Sequence, residues 1–122
     1  MSGIVMGFQI NAMKAVQIDR LCRQAGLVFK PVKESEFGQP LGVVAGIQGF
    51  PRQDIKAYPK LPEEVLVFSG IDSPTLDAFL AAYRAAQIPK VELKAVLTPY
   101  NIFMNIGTLY EELAKERKAM QQ

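Results

Sequence analysis

The chain has 122 residues, 49% of them apolar and 21% charged, and a formal net charge of +2, a mix that suits one globular domain, 1–122, with its own core. It contains no histidine and a single cysteine, Cys22, which excludes Ser-His and Cys-His nucleophilic pairs, histidine-based zinc sites and an internal disulfide. The lone thiol suits a reducing compartment, so a cytoplasmic location is expected; no positive segment precedes the apolar N-terminal residues, and the longest uncharged run, Ala95 to Tyr110, is too short and too interrupted for the roughly 20-residue apolar span a bilayer needs.

Ile4 to Gln9 reads as a first strand, an apolar run between Gly3 and Asn11. Asn11 is a good N-cap for a helix whose apolar face repeats at Ala15, Ile18, Cys22 and Ala25 and which ends at Gly26. Leu27 to Val32 follows as a second strand, and Pro31 within it favours an edge or terminal position. An irregular connection runs from about residue 33 to 62 and holds Pro40, Pro51, Pro59 and Pro62; inside it Gly42 to Ile47 is apolar enough to predict a short extra strand.

Val65 to Ser69 predicts a third strand. Asp72 or Ser73 caps the next helix, Pro74 opens it, and Leu76, Phe79, Leu80 and Tyr83 form its apolar stripe. Pro89 stops that helix, and Val91, Leu93, Ala95 and Leu97 alternate as one buried face of a further strand. A last amphipathic helix carries Ile106, Leu109, Tyr110 and Leu113, starting either at Asn101 or at a capping box of Thr108 with Glu111.

An offset of 61 residues aligns Arg23 with Arg84, Ala25 with Ala86, Leu27 with Ile88, Val32 with Leu93 and Lys33 with Lys94. Two strand-helix-strand halves joined by a long connection predict an α+β fold: a ferredoxin-like two-layer sandwich with an antiparallel sheet, both helices on one face, and an extra C-terminal helix. The alternative is an open α/β sheet with helices on both faces.

The pieces EVLVFSGI, LDAFLAAYRAAQIPKVELKAVLTPYN and LYEELAKE, spanning Glu64 to Glu116, resemble DUF3783, a family of small bacterial proteins. The QPLG at Gln39 to Gly42 is compatible with that family's longer members. The resemblance implies kinship, and with it neither an activity nor catalytic residues.

Few constellations offer chemistry. Lys94, Thr98, Tyr100 and Asn101 gather where a predicted strand ends and the chain turns, the kind of place where open sheets bind anions and small ligands, with Lys94, Thr98 and Asn101 as the candidate ligand-binding residues; the simpler reading makes Thr98 and Asn101 caps and Lys94 a solvated strand residue. GVVAGIQG lacks the helix and Lys that a phosphate loop needs and reads as a turn. The pairs Glu34/Glu36, Glu63/Glu64 and Glu111/Glu112 read as solvated charges, and Cys22 as a buried structural thiol. Residues 1–61 carry eight bases and four acids, and residues 62–122 carry six and eight. The bases are dispersed, and although Phe37, Phe50 and Tyr58 lie among Arg52, Lys56 and Lys60, no RNA-binding pattern accompanies them. The expected role is therefore a protein-interaction or assembly module, as a homodimer or with a protein partner, without catalytic residues, metal, cofactor, membrane or nucleic acid. A small-molecule or anion-binding protein using residues 94–101 is the alternative.

Overall fold

Short runs of four or five mostly apolar residues make the strands. The computed structural model describes residues 3–121, with Met1, Ser2 and Gln122 outside the described residues. In chain order it contains β1 (Ile4–Phe8), α1 (Ala12–Gln24), β2 (Val28–Val32), a 3-10 turn (Glu34–Glu36), α2 (Leu41–Val44), β3 (Val65–Ser69), α3 (Ser73–Ala85), β4 (Leu93–Val96) and α4 (Ile106–Met120). The four strands form one sheet in the order β2-β1-β3-β4. The fold is α+β, and the two strand-helix-strand units are those expected. The sheet, however, is mixed: β1 pairs with β2 and β3 with β4 in parallel, while β1 meets β3 antiparallel. Each unit thus pairs its own two strands directly across its helix, the connection a parallel pair requires.

The 61-residue offset is structural. It carries β1 onto the bounds of β3 and α1 onto those of α3. The caps correspond too: the side chains of Asn11 and Asp72 accept from the backbone N–H groups of Lys14 and Thr75, and Gln9 with Gly70 and Gly26 with Gln87 share positive φ angles. The central pairing is itself two-fold: Ile4 faces Ser69, Phe8 faces Val65, and Met6 faces its own equivalent, Val67. The correspondence ends beyond Gly26 and Gln87, since residues 86–92 precede β4 but only residues 25–27 precede β2. Val32 and Lys33 therefore do not take the places of Leu93 and Lys94.

The sheet has a core on each face. On one, Val5, Phe29, Leu66 and Phe68 pack with Ile18, Cys22, Phe79 and Tyr83 of α1 and α3. On the other, Met6, Phe8, Val65, Val67 and Leu93 are covered by Phe37, Leu41 and Val44 of the connection and by Ile106 and Leu109 of α4. Helices α1 and α3 share a face as expected, and α4 lies across the sheet from them. Val91 joins the first core while Leu93, Ala95 and Leu97 join the second, because the chain becomes extended only at Leu93, and the alternation does not reach back to Val91.

The connection is ordered by hydrogen bonds within itself and to the turn that precedes α4. The predicted strand at 42–47 is instead the helical turn α2: Pro40, at φ −55°, caps it, and the N–H groups of Leu41 and Gly42 donate to the carbonyls of Met104 and Ile102. Buried Gln39 holds residue 53 from both sides, its amide donating to the Gln53 carbonyl at 2.9 Å and its oxygen accepting from the Gln53 N–H at 2.8 Å. Gly42 permits the close packing, since a Cβ there would stand 2.8 Å from the Phe50 ring.

Candidate functional site

The three residues singled out at 94–101 do not converge on one point. The Leu97 N–H donates to the Phe68 carbonyl, so in the parallel ladder Leu93, Ala95 and Leu97 turn their backbone groups to β3 and those of Lys94 and Val96 point to the open edge. The Lys94 ammonium folds back to the Val91 carbonyl at 2.7 Å. Thr98 and Asn101 do come together at the other end. The Asn101 side chain, 6% exposed, accepts from the Thr98 N–H at 2.8 Å and donates to the Val96 carbonyl at 3.0 Å, while Thr98 Oγ1 accepts from the Asn101 N–H at 3.1 Å. Asn101 therefore closes the last outward carbonyl of the sheet edge. Neither expected start of α4 is used; Asn105 caps it, accepting from the Thr108 N–H at 3.0 Å.

The acidic pairs are far from uniformly solvated. Successive residues before β3 turn to opposite faces of the sheet. Glu63 takes both nitrogens of Arg117 on α4, at 2.8 and 2.6 Å, and the Tyr110 hydroxyl at 3.0 Å. Glu64 takes the Lys14 ammonium at 2.5 Å and the Asn11 N–H at 3.2 Å. Lys14 is 6% exposed and also donates to the Lys90 carbonyl at 3.3 Å. Glu36 holds Arg52 through both oxygens, at 2.8 and 2.6 Å. The Arg52 and Arg117 guanidiniums hold the carboxyls of Glu36 and Glu63 below the usual carboxylate range. By the internal two-fold, Lys14 and Glu64 correspond to Thr75 and Gly3, which line an open polar groove with Gly26 and Gly70. One ion pair thus fills a place that stays open in the other half. Burial pushes the Cys22 thiol up to about 12, leaving it protonated and unreactive at neutral pH. Among the described residues, no group of three potential metal ligands occurs, and no helix is long and apolar enough to cross a membrane.

One surface stands out by its composition. Residues 37–51 and 95–110 contain no charged side chain, and the fold lays them against each other. Besides the two backbone hydrogen bonds from α2, Phe50 packs against Phe103 with ring centroids 5.3 Å apart and ring planes tilted by 47°, and Gly42 lies between Phe50 and Ile102. Phe103 is 72% exposed and Tyr100 68%, with Ile47 also at the surface. The Tyr100 hydroxyl donates to Glu112 at 2.8 Å. The aromatic side chains are thus displayed on a turn whose own backbone is held by the buried Asn101. The sequence showed the uncharged runs separately, and only the fold brings them together.

No curated protein and no solved structure matches the chain. Residues 64–120 match the family described as Domain of unknown function (DUF3783). The match takes in the second strand-helix-strand unit and α4, while the Gln39–Gly42 likeness lies outside it. It is this second half, which holds β3, α3, β4 and α4, that is similar to the DUF3783 family.

Proposed function

We propose that this protein is an interaction and assembly module of the bacterial cytoplasm that pairs with a second copy of itself through the aromatic surface around Phe50, Tyr100 and Phe103. The observation that carries this reading is the exposure of Phe103 on a braced turn made from two uncharged stretches. Large apolar residues that cost solvation in the free chain gain it back when a partner covers them, and rigid aromatic anchors lose little entropy on binding. Near a two-fold axis each residue meets its own copy, so a charged patch would repel itself there; the two stretches contribute no charge of their own, and the Glu112 carboxylate beside them accepts from the Tyr100 hydroxyl. The reducing cytoplasm agrees with the single buried thiol.

Sedimentation equilibrium over micromolar to millimolar concentrations tests the reading. The native chain is expected to form a dimer and Phe103→Ser to remain a monomer with an unchanged circular dichroism spectrum. A native chain that stays monomeric throughout, or a Phe103→Ser dimer of equal affinity, would overturn it.

A further inference from the structure

The open edge of β4 carries a second surface, separate from the aromatic one. Its Lys94 N–H, Lys94 carbonyl and Val96 N–H point outward by the ladder alternation, and only the Val96 carbonyl is closed by Asn101. Val96 is 47% exposed beside them. The side chains of Lys94 and Val96 lie on the α3 face, since their register partners Leu66 and Phe68 belong to the core there. Arg84 at the end of α3 and Lys90 before β4 are close enough to bear on the Lys94 ammonium, with Glu92 the one acid among them. Glu92 reaches only Lys90, at 3.8 Å; among the described residues, Arg84 makes no ion pair. The strip is therefore an edge with free backbone partners and an excess of positive charge.

We infer that this edge docks an extended acidic segment of a partner protein, which would add beside β4 by main-chain hydrogen bonds to Lys94 and Val96 and set carboxylates against Arg84, Lys90 and Lys94. Main-chain pairing supplies the geometry of such strand addition and side chains the selectivity. The same lysine that would oppose itself in a β4-to-β4 pairing of two copies attracts an acidic strand, so attraction and exclusion come from one residue.

The probe is a fluorescein-labelled peptide of alternating Glu and Val, titrated against the full chain by anisotropy, with a Lys-Val peptide and a backbone N-methylated Glu-Val peptide as controls. The Glu-Val peptide is expected to bind and to shift the amide resonances of Lys94 and Val96, while both controls fail. Lys94→Glu and Arg84→Glu should each weaken binding by about tenfold, and Phe103→Ser should leave it unchanged, which separates this edge from the aromatic surface. No binding of the Glu-Val peptide at millimolar concentration would overturn the inference. So would equal binding of the N-methylated peptide, full binding by folded Lys94→Glu, or resonance shifts that map away from β4.

Discussion

At position 14 a lysine sits on the inward stripe of α1, one helical turn before Ile18 and two before Leu21, and its burial is sustained by Glu64 and the Lys90 carbonyl. Removing one partner leaves an uncompensated charge in a place shielded from water. Glu64→Ala is therefore expected to lower unfolding free energy by about 2–3 kcal/mol, at or below the low end of the roughly 3–5 kcal/mol for a fully buried pair because the carboxylate keeps some solvent contact; urea denaturation checks it. Glu63 behaves differently with pH. Arg117 and then Tyr110 lower its folded pKa, so the pair's contribution is complete above the unfolded value of about 4.3 and disappears as pH falls through the folded one. Arg117→Ala should be less stable than the native chain at neutral pH, and the gap between their urea midpoints should close in acid. A gap that stays constant or widens would contradict this. The periodicity read from the sequence places the helix face at Ala15, Ile18, Cys22 and Ala25, and the burial of Lys14 beside it appears only in the fold. The pairing of adjacent glutamates with opposite faces was hidden too, because it depends on which helix lies on each side.

The two sheet edges are protected by different local devices. The Val28 N–H donates to the Gly3 carbonyl, which turns the groups of Phe29 and residue 31 outward on β2, and proline at 31 removes the donor that would stand there. On β4, Lys94 and the Asn101 amide do the corresponding work. Pro31→Val restores an outward N–H and is expected to increase light scattering of concentrated solutions, whereas unchanged scattering would show that the proline is indifferent to edge pairing. At this scale the sequence was largely legible: all four strands, α1 and α3 with their caps, and the edge position of β2 follow from periodicity, asparagine or aspartate caps and proline. It failed at Gly42 to Ile47, where an apolar run fits a strand or a buried turn equally well. There the deciding contacts come from Ile102 and Met104, some 60 residues away. The Asn105 cap was hidden for a related reason, since Asn101 and Thr108 offered the same chemistry nearby and only the buried turn around Asn101 excludes it from capping.

Across the whole molecule, one strand-helix-strand plan occurs twice about an internal two-fold through Met6 and Val67. The halves differ where the chain adds to the plan: the connection and α4 cover one face, Lys14 and Glu64 fill a groove left open at its mate, and residues 86–92 lengthen the path to β4. The parallel pairing within each half could not be read from the strands themselves, because register and neighbour order are set by helix crossovers. Likewise the proposed docking surface exists only after folding, when uncharged runs more than 40 residues apart meet at Gly42, Phe50, Ile102 and Phe103. Amide hydrogen exchange at low and high protein concentration tests that surface most directly. Protection is expected to grow with concentration at residues 47–50 and 100–103 and to stay unchanged along β2 and β4. Concentration-dependent protection confined to the sheet edges, or found nowhere, would contradict the account.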